Sequence, residues 1–550
     1  MLRLAIALLC ACLFLPLPVH AAEWFVSTLG SDATGNGSLQ NPYRTIKRVL
    51  STTNGVARAN DTITLRGPSG NNTYQECDVR LRVNLTIRSY QGERAHIYCP
   101  VSTPDSVTVQ IDPSASGSTL SNLEISGGMY YGVMMQTNWY QGGPASNTGA
   151  SDILLEDLLI HHTGRDGIKI TPKSKRVTIR RTEIHTTGTV YPPGTPDDNK
   201  NADGIDNVNG SGMVVEDSYI HDTATTGLYF KGGAADVIIQ RNRIENTGDA
   251  GILVGFDTSV EFFDLTENPN YYEALRGTVR NNVVKGTGYS GIGMYASKDS
   301  IVANNTIIDA GRKGHSALYF GITFQDWDPV AKRPANINNR VVNNLIIAPN
   351  KNRCFDIRYS SELGGLSGLS GATGSDWNGF PSGCVFRDNR PGSTINADVS
   401  LAQWRAALSS DANSKQAAFT VSSTGEIPAG SPAINAGTML SEVVDDIRKQ
   451  PRTVPYDIGA YETASPPPTG PIRVNGAQPL IPPSATPIAP VSQALASPAP
   501  VSTPQPPKWV SPIQDMRAPQ AVRITPPLQR WWLNLRLAYA KWRWNTVQTK

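Results

Sequence analysis

The sequence predicts an all-β solenoid, a right-handed parallel β-helix with an N-terminal capping helix and a Pro-rich C-terminal tail. Three observations predict it. The middle of the chain repeats one phrase: a β-branched pair, a polar triplet, an apolar anchor, a polar turn ending in Thr-Gly, and a second short strand. The strand segments alternate apolar and polar with period two rather than with helical spacing. Polar residues of one type also recur at fixed offsets from the anchor. Stacked coils produce this, because like residues then lie above one another roughly 4.8 Å apart.

The clearest copies of the phrase are 155–160, 215–220, 239–244 and 279–284. Their anchors, with those of the weaker copies, are Ile160, Ile184, Ile220, Ile244, Val284, Ile307 and Ile346. Successive separations are 24, 36, 24, 40, 23 and 39, so the base period is about 24. Strands of four or five residues at this period cannot bury their apolar side alone, and the coils must stack. Asn242, Asn282, Asn305 and Asn344 each precede an anchor by two and form an asparagine ladder able to satisfy turn backbone groups. Thr163, Thr187, Thr223, Thr247 and Thr287 each follow an anchor by three and form a second ladder.

The ends follow from composition. Residues 1–21 have an apolar run and small residues at Val19 and Ala21, the pattern of a secretory signal, so the mature chain is expected from Ala22. Cys10 and Cys12 leave with that segment; a lipoprotein reading of them is the alternative. The even set Cys77, Cys99, Cys354 and Cys384 suits an oxidising, secreted or periplasmic location, with expected pairs Cys77–Cys99 and Cys354–Cys384. Cys77 and Cys99 are 22 residues apart, one coil, so their disulfide would staple neighbouring coils. Neither pair has the CxxC spacing of a zinc site. No later stretch has the roughly 20 apolar residues of a bilayer span. A net charge of +3 over 550 residues argues against a nucleic-acid partner.

Residues 22–463 form the solenoid domain. Within it Tyr43–Arg58 reads as an amphipathic helix covering the open first coil, ahead of the strand Asp61–Leu65. Residues 464–510 are a Pro/Ala/Ser-rich linker. Residues 511–550 form a basic amphipathic tail with Trp531, Trp532, Trp542 and Trp544, suited to peripheral contact with an anionic membrane or glycan. A monomer is expected.

The run Val26–Asp32, then Gly37-Ser38, Asn41-Pro42-Tyr43, Thr45-Ile46 and Asp61-Thr-Ile63, resembles the opening of bacterial β-helix proteins of the pectate lyase superfamily, including the family 9 polysaccharide lyases. Ser431–Gly437, Asp446, Pro451-Arg452 and Asp457–Glu462 are similar to the closing pattern of the same group. The resemblance covers roughly residues 23–463. It implies the fold and a polysaccharide partner. The superfamily holds lyases, hydrolases, C5-epimerases and non-catalytic binders, so the reaction must be argued from the site.

The long anchor spacings mean inserts of about 12 to 16 residues around Thr189–Lys200, Phe256–Arg276 and Gln325–Asn339, with an earlier one at Gln136–Ser151. They should rise as walls on one side of the solenoid. They carry Trp139, Tyr140, Tyr191, Phe262, Phe263, Tyr271, Tyr272 and Trp327, ring faces suited to stacking on sugars or to packing the loops down. Trp139, Tyr140, Tyr271 and Trp327, with His185 and His221, are the candidate substrate-binding residues.

The walled strand is read in register from its small residues Gly132, Gly167, Gly204, Gly227, Gly251 and Gly291. Alternation points Ile168, Ile205 and Leu228 inward and Lys169, Asp206 and Tyr229 outward. Asp166 and Asp203 precede the small position, and Lys231 lies two beyond Tyr229. Such a cluster suits β-elimination from an acidic, uronic acid-containing polysaccharide, in which the C6 carboxylate is neutralised and the C5 proton removed. Asp166, Asp203 and Asp206 are the candidate Ca²⁺ ligands. Lys231 is the candidate base, Lys169 competes with it, and Tyr229 is the third catalytic candidate. A plain ion-pair network fits the same residues.

Asn201-Ala-Asp203-Gly-Ile-Asp206 is similar to a calcium segment of the family 9 lyases and to an acid segment of polygalacturonases. The next coil reads Thr225-Thr-Gly-Leu228, without the further acidic residues of either family, so hydrolysis ranks second. His161, His185 and His221, each one residue after an anchor, form a further stack, followed by Glu245 and Lys285. Metal binding, proton transfer and a turn ladder all fit it. A C5-epimerase and a non-catalytic exopolysaccharide-binding or assembly protein are the other functions compatible with the sequence.

Overall fold

The computed structural model describes residues 21–138, 148–196, 199–323, 333–361 and 363–463. The signal segment, the linker, the basic tail and the aromatics Trp139, Tyr140 and Trp327 lie outside the described residues. Three long parallel sheets wind around one core, with 12, 11 and 12 strands. Sheet I runs from Glu23–Val26 to Ser375–Asp376, sheet II from Val79–Leu81 to Val385–Asp388, and sheet III from Thr73–Gln75 to Lys415–Ala417.

Every anchor meets the next in register: Ile160 pairs with Ile184, Ile184 with Ile220, Ile220 with Ile244, Ile244 with Val284, Val284 with Ile307 and Ile307 with Ile346. All are fully buried. At about 1.5–3 kcal/mol for each buried aliphatic side chain, this column is a main source of cohesion between coils.

The asparagine ladder is buried and continuous. Asn282 Oδ1 accepts from the backbone N–H and the side-chain amide of Asn242, both at 3.0 Å, and Asn305 Oδ1 serves Asn282 in the same way at 3.0 and 2.9 Å. It reaches further than the repeats suggest. Beyond Asn344, which takes its expected rung, Asn378 continues it and Ser414 Oγ caps it, and Ser218 and Thr182 fill its earlier rungs. Asn305→Ala removes the acceptor for two buried donors of Asn282. A loss of roughly 2–5 kcal/mol is expected in equilibrium denaturation; a loss within 0.5 kcal/mol of zero would show that the ladder does not hold the coils.

Both disulfides join the expected residues, with Cα–Cα distances of 4.6 Å for Cys77–Cys99 and 5.9 Å for Cys354–Cys384. The N-terminal helix is shorter than the sequence suggests: it spans Ile46–Leu50, not Tyr43–Arg58. Thr45 caps it through Arg48 N–H, and Ile46 and Val49 face the core. Ser51 leaves helical geometry at ψ 137°, and Thr52-Thr53-Asn54-Gly55 offers only weak helix formers to continue it. Val56 and Ala57 then donate to the Val49 carbonyl, folding the chain back. A second helix, Leu401–Leu408, closes the other end with Trp404 packed on Phe355 and Phe386. Its Ser400/Gln403 capping box was the available sequence signal.

The turns from sheet I to sheet III place Asp217, Arg241, Asn281, Asn304 and Asn343 at φ values of 53–59° on successive coils. The C-terminal segment touches each of them. Lys449 pairs with Asp217, Asp445 with Arg241, Arg452 donates to Asn281 Oδ1, Asn304 donates to the Asp457 carbonyl, and Asn343 donates to the Thr438 carbonyl. The closing residues of the domain are therefore a strap laid along five coils. Among the described residues no helix is long and apolar enough to cross a membrane.

Candidate functional site

The site lies on sheet II, where Lys169 pairs with Asp206 and Asp206 with Tyr229, and Val208 pairs with Lys231. Glycine precedes each strand because the turn presses on the anchor column. A Cβ on Gly167 would meet Ile184 Cγ2 at 2.6 Å and the Gly204 carbonyl at 2.7 Å. The preceding aspartates are held by their own backbone: Gly132 N–H donates to the Asp166 carbonyl and Gly167 N–H to the Asp203 carbonyl.

The three aspartates converge, with one carboxylate oxygen from each within 4.8 Å of the others. Asp166 Oδ1 accepts from Asp203 N–H at 3.0 Å, and Asp203 Oδ1 accepts from Thr225 Oγ1 at 2.6 Å and Thr226 N–H at 2.8 Å. Lys169 Nζ donates to Asp206 Oδ2. Asp166 Oδ2 and Asp206 Oδ1 are buried without a hydrogen-bond partner. Asp166, Asp203, Asp206 and Tyr229 are at most 2% exposed and Lys169 7%. They point away from the solenoid axis, yet the structure above sheet II covers them. Lys173, which bonds Asp264, ties the 256–276 insert to this face. Lys231 alone of the cluster is half-buried. Its ammonium lies 4.4 Å from the Tyr229 ring centroid and 5.5 Å from that of Phe256.

Burial and the neighbouring Asp206 charge push Asp166 well above the carboxylate range. The same two causes push Asp203 up to about 6, against the hydrogen bond from Thr225. Burial also acts on Asp206, but the charges of Lys169 and Lys231 outweigh it and hold that carboxyl low. Burial pulls Lys169 down, and Asp206, Tyr131 and Asp166 more than reverse it, so Lys169 stays protonated. Two orphaned oxygens among three convergent carboxylates form a hard, all-oxygen donor set of the kind Ca²⁺ takes.

A pH dependence follows. The folded pKa of Asp203 exceeds its unfolded value, so its contribution to stability is complete below 3.8 and lost as pH rises through about 6. In chelator the melting temperature should fall across that window. Ca²⁺ takes the deprotonated carboxylates, so the stabilisation it adds should grow over the same range. Thermal scans with and without Ca²⁺ check both signs; an equal shift at each pH would count against a carboxylate site.

The other candidates are dispersed. Tyr271 packs 5.3 Å from Phe263 and 5.4 Å from the Arg333 guanidinium, and so helps hold its own loop. The centre of that packing, the buried Arg333–Glu273 pair at 2.9 Å, has no local signal in the sequence. His185 and His221 lie on sheet III, not with the aspartates. Between the two faces a cleft of about 460 Å³ runs along the threonine ladder past Thr187, Thr223 and Thr247, with Lys200, Arg312 and Lys313 on its walls. Its lining residue Ala224 adjoins Thr225, the partner of Asp203.

Residues 107–271 match the family model described as a right handed beta helix region. The described residues form a right-handed parallel β-helix. Among solved structures it is similar to pectate lyase Pel9A, at 16% identity over 81% of this chain and 97% of that one, with a TM-score of 0.48. It is also similar to a rhamnogalacturonan lyase, at 14% identity over 60% and 82% of the two chains with a TM-score of 0.42. A third likeness is to the A-module of the Azotobacter vinelandii mannuronan C-5 epimerase AlgE6, at 14% identity over 67% and 91% with a TM-score of 0.36. No curated protein matches the chain in sequence.

Proposed function

We propose that this β-helix cleaves an acidic, uronic acid-containing polysaccharide by β-elimination at the sheet II cluster. The observation that carries the reading is the convergence of Asp166, Asp203 and Asp206, with two partnerless carboxylate oxygens, beside the solvent-reaching Lys231. The three aspartates would hold Ca²⁺, which when bound neutralises the C6 carboxylate of the sugar and so acidifies C5. With its own proton first released to solvent, the neutral Lys231 Nζ takes the C5 proton, the C5–H electron pair becomes the C4–C5 double bond, and the C4–O bond breaks with a proton from water going to the departing oxygen. Tyr229 sets Lys231 in place through its ring. Lys169 is bound to Asp206 and acts as a fixed counter-charge, not as the base. The basic walls of the adjoining cleft suit a polyanion.

Hydrolysis with inversion needs carboxyl groups about 6.5–9.5 Å apart. Donor oxygens within 4.8 Å of one another are spaced for a shared cation instead. A non-catalytic polysaccharide binder is the second reading, favoured by the near-complete burial of the aspartates. Incubating the protein with pectate, alginate and related polyuronates in Ca²⁺ should yield products with the ultraviolet absorbance of an unsaturated uronate. Binding without such a product from any of them would favour the second reading and overturn the first.

A further inference from the structure

Sheet III carries a second cluster, on a different sheet from the aspartates and made of different donors. Two outward rows lie side by side on it. One contains His96, Glu124, Leu159, Glu183 and Tyr219; the other contains Tyr98, Ser126, His161, His185, His221 and Glu245. Where the rows face each other at the N-terminal end, His161 Nε2 lies 3.1 Å from Glu124 Oε1 and His96 Nδ1 lies 3.5 Å from the same oxygen. One donor atom from each of the three residues falls within 4.8 Å of the others. The side chains keep 16%, 23% and 16% of their surface for His96, Glu124 and His161, so an ion has a path in from solvent.

We infer that His96, Glu124 and His161 form a binding site for a divalent transition ion of the Zn²⁺ class. Ligands bonded at 2.0–2.1 Å in a tetrahedron stand roughly 3.3 Å apart, between the two separations found here. Two imidazole nitrogens and one carboxylate oxygen leave one position open to water or a ligand, as in exchangeable zinc sites. The rings are also held from behind, as ligating histidines generally are. His96 Nε2 bonds Ser126 Oγ at 2.7 Å, and His161 Nδ1 shares a hydrogen bond of 2.8 Å with His162 Nδ1. His161 is further fixed by stacking on His185, with centroids 5.2 Å apart and planes 12° from parallel, and His185 stacks on His221 at 4.9 Å. The nitrogen donors distinguish this site from the all-oxygen aspartate cluster, which suits a harder ion.

The test is calorimetric titration of Zn²⁺ into the full chain, purified without a polyhistidine tag, with Co²⁺ absorption as a second readout. One equivalent is expected to bind, with the visible bands of a low-coordinate Co²⁺ complex, and excess Ca²⁺ should not displace it. His96→Gln and Glu124→Gln should each weaken binding by about 100-fold or more, and circular dichroism shows whether each variant is folded. Unchanged Zn²⁺ affinity in both folded variants would overturn the inference, as would no Zn²⁺ binding by the parent chain. Loss of Zn²⁺ binding in Asp203→Asn, with both sheet III variants unaffected, would assign the ion to the aspartates and overturn it too. None of these outcomes depends on whether a polysaccharide is cleaved.

Discussion

Asp206→Ala is expected to lower the unfolding free energy by about 3–5 kcal/mol, because it leaves the Lys169 ammonium buried without its partner. The side chains of this pair are 9% and 1% exposed, so water cannot take over the charge. Lys169 lies 5.9 Å from the Tyr131 ring centroid, and that attraction replaces only a fraction of an ion pair. The double substitution Lys169→Met with Asp206→Leu should recover most of the loss, since it removes both charges and keeps the volume. Denaturant midpoints of the parent and the two variants decide the matter. A loss below about 1 kcal/mol for Asp206→Ala would give the pair the worth of an exposed one.

Lys231→Ala is expected to reduce polysaccharide turnover by about 10²–10⁴-fold, the range for loss of a positioned proton acceptor. Its effect on the fold should be small. The ammonium is half-buried, and what it leaves behind is a cation–π contact with Tyr229 worth about 0.5–1 kcal/mol. Large loss of rate with small loss of stability separates Lys231 from Asp206, whose removal damages both. Turnover within a few-fold of the parent in a folded Lys231→Ala protein would remove Lys231 from the reaction.

The solenoid was legible because its physics repeats. Seven anchors, two polar ladders and the outward alternation of Lys169, Asp206 and Tyr229 all follow from period two within a strand and a fixed coil length, and the observed register reproduces the anchor column and the Lys169–Asp206–Tyr229 row. What the repeats do not encode is what lies above a face. Asp166 and Asp206 are buried beside Tyr131, Lys169 and Tyr229 from neighbouring coils, and the alternation that points a side chain outward carries no information about that cover. Glu273 and Arg333 meet across 60 residues of sequence, and no local pattern predicts that. The sheet III cluster was half visible. His161, His185 and His221 were found from their common offset, whereas His96 and Glu124 lie in earlier coils and in the neighbouring row, outside any single column.

The C-terminal strap sets the length of the molecule. A coiled repeat can usually gain or lose a whole turn by duplication or deletion, since each turn recognises only its neighbours. Here Thr438, Asp445, Lys449, Arg452 and Asp457 are spaced to meet five successive turns. An added or missing turn between Asp217 and Asn343 would put every station beyond it out of step at once. The strap acts as a gauge: within that stretch the residues beyond the base period lie in the loops, where the long anchor spacings occur.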